Sequence, residues 1–139
     1  MDNQLTIRTF TQTDTDRVIE IWQECGLTVP QNVPATDIQL KTEFQPELFF
    51  VAEKASQLTG TIMAGYEGHR GWLNYLGVLP AWRRQGIGTA LVRHALEKLK
   101  KLGCPKVNLM VRKSNLQVIE FYKKLGFLLD EVVGMGLRF

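Results

Sequence analysis

The sequence predicts an α/β fold, in which a mixed and mostly antiparallel central sheet of six to seven strands is flanked by about four helices. Three consecutive apolar segments, residues 48–53, 58–67 and 72–78, are separated by short turns and predict an antiparallel meander. Beyond residue 86, helical and strand-like patterns alternate, which is typical of strands joined by crossover helices. A chain of 139 residues with 45% hydrophobic and 22% charged side chains is ordinary for a globular protein, so we predict a single domain over residues 1–139.

One strand and two helices are predicted before the meander. Residues 4–10 alternate apolar and polar side chains and predict the first strand. The sequence Thr-Asp-Thr-Asp at residues 13–16 supplies capping groups for a helix that Gly26 ends. A weaker helical pattern covers residues 36–45. The apolar face of the first helix is expected to carry Val18, Ile21, Trp22 and Cys25.

Two further helices and the remaining strands are predicted after the meander. A long helix is expected to begin near Gly86 and to stop at Gly103, and residues 107–111 alternate as a strand. A last helix begins at Ser114-Asn115, and residues 127–139 predict one or two final strands. The apolar side of the long helix is expected to carry Ile87, Leu91, Ala95, Leu99 and Leu102, and that of the last helix Val118, Phe121, Tyr122 and Leu125.

Several classes of protein are disfavoured by composition. No apolar run approaches the roughly 20 residues that a membrane span needs. Residues 1–4 show no basic region followed by an apolar stretch, so no export signal is recognised and we expect a cytoplasmic protein without membrane contact. Cys25 and Cys104 lie far apart and outside any Cys-x-x-Cys or Cys/His ligand pattern, so we expect two reduced thiols and no metal site.

Charge is distributed unevenly along the chain, although the formal net charge is only +3. Residues 1–54 carry four basic and nine acidic side chains, a net charge of −5. Residues 83–124 carry eleven basic and two acidic side chains, a net charge of +9. A basic half is found in nucleic-acid binders, in proteins with a polyphosphate ligand and on plain solvated helix faces. Which of these three explanations applies depends on the residues that surround the basic groups.

The stretch VLPAWRRQGIGT, residues 78–89, carries the clearest chemistry. A strand ends here, and a loop with two arginines and two glycines enters the long helix. The first N–H groups of a helix lack partners and carry the positive end of its dipole, and glycine lets a phosphate approach the backbone. The turn is therefore suited to a pyrophosphate. An ordinary helix start whose glycines bind no ligand has the same pattern. A dinucleotide-binding fingerprint is disfavoured because its third glycine would fall at Leu91, and the chain has no Gly-Lys-Ser/Thr of a Walker-type loop.

Two spaced motifs make this reading more specific. The motif Arg-x-x-Gly-x-Gly at residues 83–88 follows a strand that ends in Val-x-Pro, and Asn115 opens a helix that ends in Tyr-x-x-x-Gly-Phe at residues 122–127. These motifs closely resemble the two signatures of the GNAT superfamily of N-acetyltransferases. The predicted order of elements is similar to that family's acyl-CoA N-acyltransferase fold. The sequences GHRG at residues 68–71 and GCPK at residues 103–106 further resemble small bacterial YpeA-like members.

The resemblance implies an N-acetyltransferase that moves an acetyl group from acetyl-CoA to an amine by direct attack in a ternary complex. Residues 76–78 would offer backbone groups to the pantetheine arm, and the N–H of Leu76 would stabilise the oxyanion. Residues 84–89 would wrap the pyrophosphate, Asn115 would contact the pantetheine arm, and Tyr122 would act as general acid toward the departing thiolate. The full set implied for cosubstrate binding is Leu76, Gly77, Val78, Arg83, Arg84, Gln85, Gly86, Ile87, Gly88, Thr89, Asn115 and Tyr122.

Direct attack needs a neutral amine, so a base has to take the ammonium proton. In family members that acetylate ribosomal protein N-termini, a glutamate stands five residues before the helix-opening Asn, and this chain has Met110 there. Glu67, at the end of the preceding strand, is the nearest acidic candidate, with His69, Tyr75 or a water chain as alternative relays. Each of these residues also has a purely structural interpretation. Glu67 would be an exposed carboxylate, His69 a turn residue and Tyr122 a core residue of its helix.

Two other functions would each account for part of the sequence. A non-catalytic module that binds or senses acyl-CoA would account for Met110. A nucleic-acid binder would account for the basic half and the pI near 9.0, but the aromatic interleaving and reading motifs of such proteins are lacking, so no nucleic-acid partner is expected. The acceptor stays open between a protein N-terminus, a lysine side chain, a polyamine, an aminoglycoside and a small metabolite amine. Residues 27–35 contain no charge, which argues against a highly charged acceptor there, and a homodimer is a candidate assembly.

Overall fold

The computed structural model describes residues 3–139. The lack of an export signal was predicted from residues 1–4, and two of these four residues lie outside the described part. The strands are β1 (Thr6–Thr9), β2 (Phe49–Lys54), β3 (Gln57–Tyr66), β4 (Gly71–Val78) and β5 (Val107–Asn108). The helices are α1 (Thr15–Glu24), α2 (Pro34–Glu43), α3 (Ile87–Lys101) and α4 (Leu116–Lys124). Two compact units divide the chain after Asn108, and all five strands and the first three helices belong to the first unit.

The five strands form one sheet in the order β1-β2-β3-β4-β5. The first three pairings are antiparallel, and β4 pairs with β5 in parallel. The predicted α/β class and the mixed, mostly antiparallel sheet with four helices are therefore confirmed. Among residues 3–139, no helix has the combination of length and apolar character that crossing a membrane requires.

The predicted strand number is wrong, because the described residues form five strands and not six to seven. Residues 127–139, which were predicted to contain one or two strands, pair with no other strand. Apart from the half-buried Phe127, their apolar side chains are exposed, with Val133 at 87% and Met135 at 93% of full exposure. Only two residues of the predicted strand 107–111 form β5. Alternating apolar side chains are a local signal, whereas a strand exists only through hydrogen bonds to a partner.

The core of the first unit forms where α1 meets the meander. Val18, Ile21 and Trp22 of α1 are fully buried, as the helical spacing predicts. Four successive residues of β2, from Phe49 to Ala52, are also buried, as expected for a strand covered on both faces. The rings of Phe10 and Phe49 stack with centroids 4.5 Å apart. This cluster fixes α1 against the sheet and so determines where its last turn lies.

Helix α3 buries Ile87, Leu91, Ala95 and Leu99, four of the five positions predicted for its apolar side. Leu102 was predicted with them but is 53% exposed, because the helix ends at Lys101 and Leu102 belongs to the cap. Helix α4 of the second unit buries Tyr122, whereas the other three side chains predicted for its inner side are half-buried.

An ion-pair network ties the start of the chain to the sheet. The two terminal nitrogens of Arg8 donate to both carboxylate oxygens of Asp14 at 2.8 Å, and its Nη2 also donates to Glu53 at 2.8 Å. Asp14 accepts a further bond from the Thr11 N–H at 2.8 Å. The Arg8 guanidinium lowers the pKa of Asp14 below its usual value despite the opposing effect of burial. The network holds the entry of α1 against β1 and β2.

We predict that Asp14→Asn lowers the free energy of unfolding by about 1–3 kcal/mol, because it leaves Arg8 with fewer charged partners. A carboxyl whose pKa is lowered in the folded state contributes stability above its unfolded pKa of about 3.9, and loses it as pH falls through the folded pKa. The difference between wild type and variant, measured by urea unfolding, should be full at pH 7 and shrink below about pH 4. A difference that stays constant between pH 7 and pH 3 would contradict this role of Asp14.

Candidate active site

The centre of the site is a bulge in β4. Thr61 pairs with Gly77 and Met63 with Asn74, so two residues of β4, Tyr75 and Leu76, lie opposite a single residue of β3. Tyr75 has a φ of 53°, in the left-handed region that side chains rarely adopt. A bulge interrupts the ladder and re-aims the backbone groups beside it. The bulge falls at the residue pair where the resemblance placed the oxyanion donor, Leu76.

Three contacts hold the bulge in place. The Thr61 hydroxyl donates to the carbonyl oxygen of Tyr75 at 2.9 Å. Trp22 of α1 donates from Nε1 to the Thr61 hydroxyl at 3.0 Å, and its ring stacks on Tyr75 with centroids 3.8 Å apart. Trp22 is fully buried, so this support comes from the core. The strained φ of Tyr75 is therefore stabilised by tertiary contacts on both its backbone and its ring.

The Tyr75 hydroxyl reaches helix α2. It donates to Oδ2 of Asp37 at 2.5 Å, and burial together with the carboxylate raises the pKa of Tyr75 to about 12. Tyr75 is thus a hydrogen-bond donor throughout the neutral range. Sequence reasoning named Tyr75 as one of several alternative proton relays but missed Asp37, because the two residues are 38 positions apart and nothing local marks Asp37 as a partner.

The ladder between β4 and β5 is short. It joins Gly71 to Val107 and Trp72 to Asn108, and within the described residues it extends no further. Among the described strands, the rest of β4, including residues 76–78, pairs with β3 and not with β5. The resemblance implied a strand splayed from its neighbour at residues 76–78, and this stays a prediction.

Gly77 is required by close packing. A Cβ at this position would lie 2.9 Å from Cδ1 of Leu27 and 3.2 Å from Sγ of Cys25, too close for ordinary contact. The thiol of Cys25 donates to the carbonyl oxygen of Val78 at 3.4 Å, and burial raises the pKa of this thiol. Cys25 is therefore held as a neutral thiol against β4 and is poorly suited to act as a nucleophile.

The turn between β4 and α3 contains two residues with positive φ, Arg84 at 63° and Gly86 at 79°. Helix α3 begins at Ile87, and no side chain caps its first turn. The side chain of Ile87 is buried and anchors the helix start, whereas residues 83–86 are exposed. Uncapped N–H groups at the start of a long helix, reached through an exposed turn, fit the demands of a pyrophosphate group.

Side chains around this turn have roles that the sequence did not predict. Arg83 turns back and donates from Nε to the carbonyl oxygen of Val78 at 2.9 Å, so it closes the turn onto β4. Lys54, the last residue of β2, donates to the side chain of Gln85 at 2.9 Å. Lys54 therefore adds a positive charge beside the turn. No sequence motif marks it, because it is 31 positions away from Gln85.

Asn115 and Tyr122 belong to the second unit, residues 109–139. Asn115 is the N-cap of α4, and its Oδ1 accepts from the Val118 N–H at 3.4 Å. Tyr122 is 7% exposed and packs edge-to-face against Phe121 and Phe127, with centroid distances of 5.1 and 5.3 Å. Burial raises the pKa of Tyr122 to about 12, so its hydroxyl is protonated at neutral pH.

Glu67 lies in the turn between β3 and β4. Its Oε1 accepts the N–H groups of His69 and Arg70, the first at 2.9 Å, so the carboxylate stabilises the turn. Gly71 begins β4 beyond this turn, and at about 3.3 Å per residue Leu76 lies roughly 16 Å further along the strand. The structure therefore does not bring Glu67 close to Leu76. Met110, in the second unit, is 76% exposed.

The model described as the acetyltransferase (GNAT) family matches residues 14–127, which include the bulge, the turn and α4. This chain belongs to the GNAT acetyltransferase family. It is therefore an acyl-transferring enzyme. Within residues 3–139 no group of three or more His, Cys, Asp or Glu side chains is arranged to hold a metal ion.

Relatives of this GNAT enzyme cover nearly its whole length. The acetyltransferase SG1711 of Sodalis glossinidius (strain morsitans) is 47% identical over 133 residues, which are 95% of this chain and 94% of the relative. Ard1 from Thermoplasma volcanium has a TM-score of 0.81 at 31% identity, over 91% of this chain and 84% of the other. The PaiA N-acetyltransferase of Thermoplasma acidophilum, solved in complex with coenzyme A, shares the fold with a TM-score of 0.75 at 22% identity, over 94% of each chain.

We predict that Gly86→Trp in this GNAT enzyme weakens binding of acetyl-CoA about tenfold or more, because the indole and the strained backbone would displace the first N–H groups of α3. Isothermal titration calorimetry with acetyl-CoA measures the effect. Gly103→Trp is the matched control: Gly103 also has a positive φ and open space around its Cβ, but it lies at the other end of α3. Equal loss of affinity in both variants would mean that helix strain, and not the turn, is responsible.

Proposed function

We propose that this enzyme transfers an acetyl group from acetyl-CoA to an amine by direct attack in a ternary complex. The proposal depends above all on one arrangement, in which a bulged strand at Tyr75 and Leu76 runs directly into an uncapped helix start at Ile87. The first feature suits a polarised thioester and the second a pyrophosphate, and both lie on one continuous segment. A PaiA N-acetyltransferase of the same fold was solved with coenzyme A, which agrees with this cosubstrate.

Binding of the cosubstrate is assigned to the strand edge and the turn. Residues 84–89 would hold the pyrophosphate mainly through backbone N–H groups, with Arg84 and Lys54 supplying positive charge. Arg83 is committed to the Val78 carbonyl and would act by shaping the turn. Asn115, whose Oδ1 caps α4, would use its amide N–H groups for the pantetheine arm.

Polarisation of the thioester is assigned to the Leu76 N–H. A backbone donor that is rigidly placed costs no reorganisation when negative charge develops on the carbonyl oxygen, and one such donor is typically worth about 3–4 kcal/mol of the barrier. The rigidity here would come from Trp22 and Thr61, which hold Tyr75 on both its ring and its carbonyl.

Tyr122 is proposed as the general acid. A phenol with a pKa of about 12 is fully protonated at pH 7, so it is available as a donor and not as a base. A free thiol has a pKa of about 8.5, so complete proton transfer from this phenol is uphill. We therefore expect Tyr122 to hydrogen-bond the sulfur as negative charge develops there. As the carbon–sulfur bond breaks, the phenol passes a proton to the sulfur and regains one from the amine nitrogen, which has to lose a proton when the amide forms.

The acceptor is proposed to be an amine and not a nucleic acid. Much of the basic excess belongs to Arg93, Lys98, Lys100 and Lys101, which are exposed on α3, and Lys101 pairs with Glu97 at 3.2 Å. Such residues are what a solvated helix face carries.

The single domain, the homodimer and the cytoplasmic location stay predictions.

We predict that Tyr122→Phe lowers kcat about 100-fold while the KM for acetyl-CoA changes less than about threefold, because the variant loses only the proton donor. Release of coenzyme A, followed with a thiol reagent and an amine acceptor, measures both constants. Since the pKa of Tyr122 is about 12, this group should cause no loss of kcat between pH 7 and pH 10. Unchanged kcat in the variant would remove Tyr122 from the mechanism, and failure of folded wild type to bind acetyl-CoA would overturn the proposed function itself.

A further inference from the structure

We infer that Asp37 binds the ammonium group of the acceptor, and that the acceptor is a primary amine carrying a single positive charge. The inference rests on the proposed function and names the substrate class of the same site. Asp37 would act as a specificity-determining residue, supported from β4 by Tyr75.

Asp37 is placed beside the reacting part of β4 by a direct contact. Its Oδ2 accepts the Tyr75 hydroxyl, and Tyr75 immediately precedes Leu76, the proposed oxyanion donor. The carboxylate is half-buried, so it is neither sealed in the core nor fully solvated. An ionised carboxylate has about four acceptor positions, and the Tyr75 hydroxyl occupies one of them. An ammonium donor could therefore bind Asp37 while Tyr75 stays in place, and it attacks the thioester after it has released one proton to solvent.

The segment that carries Asp37 is fixed to the sheet at two further points, one in α2 and one just after it, so Asp37 has a defined position. Lys41, one turn after Asp37, is 9% exposed and donates from Nζ to the carbonyl oxygen of Ala64, and burial lowers its pKa. Gln45 bonds both backbone groups of Tyr66, accepting its N–H at 2.9 Å and donating to its carbonyl at 2.7 Å. A carboxylate on an anchored helix is suited to selective binding, because little motion has to be frozen when the ligand arrives.

The charges around Asp37 favour one positive charge on the ligand. Residues 27–35, the segment between α1 and α2, contain no charged side chain. Glu43 lies further along α2, is exposed and accepts from Gln39 at 3.5 Å. The side chain of Lys41, one helical turn away, is committed to the carbonyl oxygen of Ala64 and offers no acceptor to a second cationic group. The other carboxylates of this segment, Glu43 and Glu47, lie beyond Lys41 in the sequence, so the carboxylate that bonds Tyr75 stands apart from them.

The other carboxylate considered for the amine is Glu67. It is engaged by the backbone of its own turn and lies about 16 Å along the sheet from Leu76. Asp37, by contrast, accepts a hydrogen bond from the hydroxyl of Tyr75, the residue next to Leu76. The two assignments thus predict opposite outcomes: loss of amine binding in Asp37→Asn if Asp37 binds the amine, and in Glu67→Gln if Glu67 does.

The test measures initial rates of coenzyme A release with acetyl-CoA and four probes: butylamine, phenethylamine, spermidine and hydroxylamine. The last is a nucleophile that is largely uncharged at neutral pH. Asp37→Asn should raise the KM for the monoamines about 10- to 100-fold, as expected for loss of a charge-assisted hydrogen bond, with the KM for acetyl-CoA unchanged. The rate with hydroxylamine should be the same in wild type and variant. Glu43→Gln makes the same charge change on the same helix and should leave all constants within about twofold.

Three results would overturn the inference. The first is an unchanged KM for monoamines in Asp37→Asn, or the expected rise in Glu67→Gln instead. The second is an equal loss with hydroxylamine, which would make Asp37 a support for Tyr75 and not a binding group. The third is a wild-type enzyme that acetylates spermidine but neither monoamine, or that acetylates none of the three charged amines. If calorimetry shows that wild type binds acetyl-CoA, these failures concern Asp37 only; if it shows no binding, the proposed function fails first.

Discussion

The bulge at Tyr75 is the constraint on which the rest of the site depends. A residue with a side chain at a φ of 53° is strained, and it persists only where surrounding contacts outweigh that cost. Here the contacts are the stacked Trp22 ring and the Thr61 hydroxyl, which are themselves linked by a hydrogen bond. The same chain of contacts joins the core, the bulge and α2. The site is therefore an extension of the packed interior and not a loop added to its surface.

The cosubstrate and the acceptor are assigned to opposite electrostatic environments. The turn before α3 combines an uncapped helix start with Arg84 and Lys54, whereas α2 presents Asp37 across the Tyr75 side chain. Phosphates and an ammonium group would then be drawn to different parts of β4. This separation gives a physical meaning to the charge asymmetry of the sequence, although few of the charged residues take part.

Sequence reasoning succeeded where the signal is local. The meander, α1, α3 and the turn at residues 83–88 follow from hydrophobic period and from glycines at helix ends, which act over a few residues. It failed at residues 127–139, where the pattern is that of a strand but no pairing forms among the described residues. The assignment of Glu67 as a base stays a prediction, and the structure places this carboxylate in a turn that lies far from Leu76 along β4.

The sequence by itself determined the fold class and the family, because the two motifs and the order of elements can be read without knowing which residues meet. Only the tertiary structure decided which side chains act together. Trp22 and Thr61 are 39 positions apart, and Tyr75 and Asp37 are 38 positions apart. Such pairs carry no local pattern, since their contact depends on how α1 and α2 pack on the sheet. That packing turns a strand with an unremarkable sequence into a strained bulge with a carboxylate beside it.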